Sequence, residues 1–172
     1  SALYDIKMFN AQEGFACAST TVEIEKSHAC ILHTQDGGKT WKKVFETKRP
    51  FEISWKLFFP SQKVGYATIQ SYNTDTTVTL QHFVKTTKRG RKWKEYELCN
   101  DYKARSFGVG FIDEKNGFIG TRTGGFQTKN GGKSWEKVDI GKSCNKIRIV
   151  KLPNGHIYGY AIGVNVYRLK MN

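Results

Sequence analysis

An all-β chain assembled from repeated four-stranded antiparallel units is what the sequence predicts, on three observations. An eight-residue phrase recurs at a spacing of roughly 40–50 residues, the interval of a repeat architecture. Each recurrence lies between short apolar or alternating runs of strand length. The 172-residue chain carries 17 glycines but only 3 prolines, and glycine supplies the backbone freedom that many tight turns require.

The phrase is Thr34-Gln35-Asp36-Gly37-Gly38-Lys39-Thr40-Trp41, and it returns as Thr128-Lys129-Asn130-Gly131-Gly132-Lys133-Ser134-Trp135. A worn copy stands between them, Thr86-Thr87-Lys88-Arg89-Gly90-Arg91-Lys92-Trp93. Asp36 and Asn130 are placed to accept hydrogen bonds from backbone N–H groups further along the turn. Lys88, at the same place in the middle copy, has no acceptor to offer. Gly38, Gly90 and Gly132 supply a positive φ at no steric cost. Trp41, Trp93 and Trp135 are large plugs, each able to bury ~150 Å² or more against a neighbouring hairpin.

The units follow in order. The first, over 4–46, opens with the alternating Tyr4–Phe9, turns at Asn10–Glu13, continues as Gly14–Ala18 and passes through a long hairpin to the first phrase. The second, over 53–98, repeats this with Ser54–Phe59, Gly65–Ile69 and a hairpin around Asn73–Asp75. The third, over 105–140, is compact: Ser106–Ile112, Gly117–Gly120 and a short turn at Arg122–Gly124 lead to the last phrase. The fourth, over 146–170, runs Ile147–Leu152, Ile157–Ile162 and Val164–Leu169, and no phrase follows. Four-stranded units in this order are propeller blades with the first strand innermost. The expected fold is a single all-β propeller domain or part of one, with about four blades and the last incomplete. Part of a longer propeller, closure with a second copy, and a small four-bladed ring all remain open. The first is preferred because the fourth unit stops mid-blade, and a raw blade edge needs cover.

The phrase Ser/Thr-x-Asp-x-Gly-x-Thr/Ser-Trp resembles the Asp box, or BNR repeat, of sialidase-like β-propellers. The wording GGKTW at Gly37–Trp41 is most similar to propellers related to the plant photosystem II stability and assembly factor. The resemblance implies architecture, because such boxes lie on turns away from the active face. Sialidase chemistry in that family uses an arginine triad, a Tyr–Glu pair, an Asp acid and an Arg-Ile-Pro segment. Arg148-Ile149-Val150 is the nearest phrase and lacks the proline. Related assembly factors hold client proteins on an arginine-rich face, a part that Arg49, Arg105 and Arg122 are available to play. The resemblance also leans toward an extracytoplasmic or secreted setting, although the chain opens polar at Ser1–Asp5 with no signal peptide.

Lysine and arginine total 28 against 15 acids, a net charge of +13. That excess attracts anionic partners but says nothing of fold. No apolar run reaches the ~18 residues of a membrane-spanning helix. Four cysteines, Cys17, Cys30, Cys99 and Cys144, form no metal-binding spacing. Cys17 and Cys30 fall on two arms of one hairpin, so a disulfide and free buried thiols both stay open, as they do for Cys99 and Cys144. The histidines His28, His33, His82 and His156 are scattered singly, and no nucleophile elbow or phosphate-cradling loop occurs. No cofactor or metal is implied. Two-carboxylate glycoside hydrolysis needs acids ~5–10 Å apart across a cleft, and Asp101 and Asp75 are the candidates on the relevant loops.

Binding remains as the leading reading. Loops joining consecutive blades share an end of the propeller with the second-to-third-strand hairpins. That end receives Lys48, Arg49, Tyr102, Lys103, Arg105 and Arg122 as candidate binding residues, with Lys26, His28, Lys142 and Lys146 nearby. An acidic protein surface is the first-choice partner and an anionic glycan the second, the protein then being carbohydrate-active. Nucleic acid is the weakest, because stacking aromatics do not interleave with these charges. Self-association to complete the propeller is a further expectation, and an ordinary solvated basic surface is the alternative to all of these.

Overall fold

Four antiparallel sheets follow one another along the chain in the computed structural model, which describes residues 1–171. Blade 1 holds β1 (Leu3–Met8), β2 (Gly14–Ser19), β3 (Ala29–Thr34) and β4 (Lys42–Glu46). Blade 2 holds β5 (Glu52–Phe58), β6 (Gly65–Ser71), β7 (Leu80–Thr86) and β8 (Trp93–Asn100). Blade 3 holds β9 (Ser106–Phe111), β10 (Gly117–Thr121), β11 (Gly124–Thr128) and β12 (Glu136–Val138). Blade 4 has three strands, β13 (Lys146–Lys151), β14 (Ile157–Ile162) and β15 (Val166–Met171). Strands are joined in sequence order within every sheet, and the first strands β1, β5, β9 and β13 neighbour one another in turn. The molecule is therefore a β-propeller array of about four blades, with its first strands innermost.

The recurring phrase forms the third-to-fourth-strand turn of blades 1 to 3, and its hydrogen bonds explain its residue types. The Thr34 hydroxyl accepts from Gly38 N–H at 2.9 Å and donates to Asp36 Oδ1 at 2.8 Å. Asp36 in turn accepts from Thr40 N–H at 2.9 Å and from the Thr40 hydroxyl. Thr128, Asn130 and Ser134 repeat the arrangement, with Gly132 N–H on Thr128 Oγ1 at 2.8 Å and Ser134 N–H on Asn130 Oδ1 at 3.0 Å. In blade 2 the first half survives, since Gly90 N–H still reaches Thr86 Oγ1 at 3.0 Å. The second half is gone, because Lys88 supplies no oxygen. The worn turn nevertheless keeps the same backbone: Arg89 has φ +53 where Gly37 has +75 and Gly131 has +72.

Each turn is also tied to the first hairpin of its own blade. Gly37 N–H donates to Gln12 O, Arg89 N–H to Lys63 O and Gly131 N–H to Lys115 O, at 2.8–2.9 Å. More consequential is what the turns of blades 2 and 3 press against at the joint with the blade before. A β-carbon on Gly90 would overlap the Phe15 ring of blade 1. Gly132 lies close against Phe83 of blade 2, and Tyr66 of blade 2 donates its hydroxyl to Gly131 O at 3.1 Å. Trp93 packs edge-on to Phe15 at 6.1 Å and Phe59 at 5.8 Å. Trp135 meets Phe83 at 5.3 Å and Phe111 at 6.3 Å.

The core is accordingly three clusters, one at each joint between blades. The first joins Phe15, Cys17 and Ile31 to Leu57, Ile69, Val84 and Trp93. The second is built on Tyr66, Phe83, Phe111, Ile119 and Phe126, and the third on Phe118, Ile140, Cys144, Ile147 and Ala161. Tyr66 stacks on Phe111 at 3.8 Å and nearly parallel. The array is not closed into a ring. Leu3 and Ile6 on blade 1 are 64% and 58% exposed, while Val164 and Val166 on blade 4 are 67% and 72% exposed. Consistent with this, Trp41 is half-buried and belongs to none of the three clusters among the described residues.

All four cysteines are free. Cys17 lies opposite Ile31 and Cys30 opposite Ala18, so one residue of offset sends the two thiols to opposite faces of the sheet. The Ser54 hydroxyl of blade 2 lies 2.9 Å from Cys17 Sγ, and burial holds the Cys30 thiol up at about 11.

The three tryptophans therefore differ in worth. Trp93→Ala, at a 6% exposed site, is expected to cost about 3–5 kcal/mol. Trp135→Ala should cost less and Trp41→Ala only about 1 kcal/mol, in line with their shallower burial. Urea melts measure the series, and equal losses at all three would contradict their role as plugs between blades. The Asp36 carboxylate, held down to about 2 by the Thr40 hydroxyl first and then its amide, supports its turn at ordinary pH. That support is lost only as pH falls through about 2. The Thr40 amide resonance should titrate there, whereas the Ser134 amide, bonded to a non-ionising Asn130, should stay still.

Candidate functional site

Topology sorts the loops into two ends. The Asp-box turns share one end with the first hairpin of each blade. The blade-to-blade connections share the other with the second hairpins, and this second end carries all six candidate binding residues. Lys48 and Arg49 lie between β4 and β5, Tyr102, Lys103 and Arg105 between β8 and β9, and Arg122 in the tight β10–β11 turn.

Hydrogen bonds stitch these loops into a row. Arg49 Nε donates to Glu52 Oε1 at 2.7 Å, and Glu52 stands opposite Ser71 across the β5–β6 ladder. Ser71 O accepts from Arg105 Nε at 3.0 Å, and Arg105 O accepts from Arg122 N–H at 3.0 Å. Arg122 O in turn accepts from Ser143 N–H at 3.2 Å. The Arg105 guanidinium lies 4.0 Å from the centre of the Tyr72 ring, and Tyr72 is fixed by its own bond to Gln70 at 2.8 Å. Tyr72 is a contributor that its neighbours in sequence do not announce; only its place on the second hairpin of blade 2 points to it.

The six residues do not have equal freedom. Arg49 forks between two carboxylates, Glu52 and Glu95, with both nitrogens of its fork on Glu95 at 2.7 and 2.9 Å. Its charge is spent inside the blade, and these hydrogen bonds, to Glu95 first, push its ionisation higher still. Burial raises the Glu52 carboxyl against the pull of Arg49. Lys48, Tyr102, Lys103 and Arg122 are exposed, and Lys103 Nζ sits 5.5 Å from the Tyr102 ring centre.

The two acids weighed for hydrolysis at this end, Asp101 and Asp75, are used locally. Asp101 accepts from Lys103 N–H at 2.9 Å and Asp75 from Thr77 N–H at 2.9 Å, each closing its own loop. The Thr77 hydroxyl and amide hold Asp75 below the usual carboxylate range. At the propeller axis a narrow cavity of about 30 Å³ is lined by Asp5, Lys56, Lys146 and Arg148 among others. Asp5 Oδ2 there accepts Leu57 N–H at 3.0 Å, satisfying an amide freed by a break in β5–β6 register. Alternation along the first strand of a unit is the signal that could have placed Asp5 at the axis. Among the described residues no three potential metal ligands cluster, and no helix is long and apolar enough to cross a membrane.

No protein-family model matches the chain, and no curated protein does. Solved structures are similar. YCF48 bound to D1 peptide matches 95% of this chain and 51% of its own, with 15% identity and a TM-score of 0.62. An ancestral GH74 enzyme matches 98% of this chain and 24% of its own, at 14% identity and 0.63. An α-L-arabinofuranosidase from Fusarium graminearum, in complex with an iminosugar inhibitor, matches 94% and 56%, at 17% and 0.58. This chain thus spans between a quarter and somewhat over half the length of these structures. Such identities speak to fold alone, and the fold they share with this chain is the β-propeller.

Arg49→Ala separates a structural from a binding role. It would strand the nearly buried Glu52, at 4% side-chain exposure, beside Glu95. Breaking a fully buried pair costs about 3–5 kcal/mol; a guanidinium 36% exposed brings the expected loss in denaturant melts to about 2–3 kcal/mol. No loss of stability would return Arg49 to the pool of free surface charges.

Proposed function

We propose that this propeller is a non-catalytic binding or assembly scaffold that grips an acidic protein segment with its blade-connecting loops. The observation that carries the reading is the row Arg105, Tyr72, Arg122 with exposed Lys48, Lys103 and Tyr102 beside it on one end of the array. A cation stacked on an aromatic ring is oriented yet still accessible, and a flexible lysine beside it adds charge without demanding geometry. The Asp75 and Asp101 carboxylates sit in closed local turns, which favours binding over hydrolysis. That one structural neighbour is described as bound to a peptide agrees with a protein partner. The exposed apolar side chains of blades 1 and 4 suit self-association or further blades completing the array.

A second reading, a carbohydrate-active propeller, draws on the two neighbours described as glycoside-processing enzymes and on Tyr72 and Tyr102 as platforms for a sugar ring. Titration of acidic peptides onto immobilised protein distinguishes the two. Capture that weakens with salt and is lost in Arg105→Glu/Arg122→Glu is expected. Absence of capture at low ionic strength, or aryl-glycoside turnover abolished by Asp101→Asn, would overturn the scaffold reading.

A further inference from the structure

The worn turn of blade 2 lacks an acceptor that its two sister turns possess. In blades 1 and 3 the hydroxyls of Thr34 and Thr128 donate to a side-chain oxygen, of Asp36 and Asn130 respectively. Thr86, 1% exposed, receives Lys88 N–H and Gly90 N–H but has no side-chain oxygen for its own proton. The Lys92 amide, counterpart of the Thr40 and Ser134 amides, likewise lacks the side-chain acceptor that they use. Two donors thus converge where a carboxylate or amide oxygen stands in the other blades. The Arg89 and Gly90 amides of this turn are spent on Lys63 O and Thr86 Oγ1, which leaves the Thr86 hydroxyl and the Lys92 amide as the donors without an acceptor.

The surroundings are cationic. An open cleft of about 750 Å³ beside the turn is lined by Lys63, Lys88, Arg91 and Lys92, and a second of about 170 Å³ shares Lys88 and Lys92 and adds Lys85 and Lys94. The acids within reach are already engaged. Glu13 is held by Arg89 at 2.7 Å, Glu95 by Arg49 at 2.7 Å, and Glu114 accepts from Ser61. Lysines serve as compact point charges for phosphate, without the planar geometry of arginine. Tyr96, the aromatic of the smaller cleft, is stacked on Phe83 at 5.6 Å, so the clefts offer charge rather than a base-stacking platform.

We infer that the blade-2 turn is a phosphate-binding site, in which an oxygen of a phosphate or phosphate ester takes the place of the missing Asp carboxylate against Thr86 and Lys92, with Lys63, Lys88 and Arg91 neutralising its charge. The site lies at the end opposite the loop row, so it stands whether the partner there is a peptide or a glycan. The ligand phosphate comes either from a soluble ester or from a lipid headgroup.

The test is a pyrophosphate titration of the full chain, followed by amide resonances and by melting temperature. The Lys92 and Gly90 amides should shift saturably and the melting temperature should rise, as for any ligand that binds only the folded state. Lys88→Asp supplies the oxygen internally and should abolish the response. Lys63→Glu should weaken it about tenfold or more. Lys137→Asp, the same charge change on the exposed outer strand of blade 3, should respond as the unaltered protein does. Sedimentation with phosphoinositide-containing vesicles, displaced by pyrophosphate, assigns the phosphate to a headgroup; pyrophosphate binding without sedimentation assigns it to a soluble ester. Lys92 and Gly90 amides unmoved by pyrophosphate, an undiminished response in Lys88→Asp, or equal loss in Lys137→Asp would overturn the site.

Discussion

Every joint that holds the first three blades together runs through an Asp-box turn pressed onto the aromatic face of the blade before it. Gly90 can reach Phe15 only because it has no side chain, and Tyr66 can bond Gly131 O only because that turn is held open by Thr128 and Asn130. The hydrogen bonds of the turn are local and individually modest. Their effect is to aim a tryptophan and a bare backbone at a neighbouring sheet, where the larger burial free energy of the aromatic cluster is collected. A short polar sequence thereby governs apolar packing many residues away.

The same turn shows why so much of the fold could be read from sequence. Thr34, Asp36, Gly38, Thr40 and Trp41 satisfy one another within eight residues, so their spacing encodes the geometry directly. Contacts that cross between distant segments left no such trace. Nothing near Arg49 announces Glu95, 46 positions away, and the charge of Arg49 looked free for that reason. A disulfide between Cys17 and Cys30 stayed open in the sequence because both lie on one hairpin; a single residue of register sends the thiols to opposite faces. Trp41 looked equivalent to Trp93, yet it joins none of the core clusters among the described residues, and burial depends on the neighbour rather than on the phrase.

Departures from the repeat are informative in the same physical terms. Replacing Asp by Lys at position 88 removes an internal acceptor and adds a cation, while Thr86 and Gly90 preserve the turn around the change. Arg89 occupies a backbone conformation that glycine fills in the sister turns, and it is held there by Glu13 of blade 1 and by Gln62. The worn box thus trades a bond within its own turn for an ion pair to the neighbouring blade. The loop end follows a different logic, with cations set singly on hydrogen-bonded loops and one braced by an aromatic ring.

The joint between blades 3 and 4 has no box. Its cluster rests on Phe118, Ile140, Cys144, Ile147 and Ala161; Gly110 and Gly120 of blade 3 press against Ile147 and Cys144, and the Tyr167 ring lies against Gly141 with its hydroxyl accepting Lys142 N–H at 3.3 Å. Without an indole wedge this seam is the shallowest of the three, and subglobal opening favours regions with the fewest buried contacts. The fourth sheet should therefore exchange its amide protons ahead of the others and admit a protease first, leaving the three box-bearing blades as the resistant remainder.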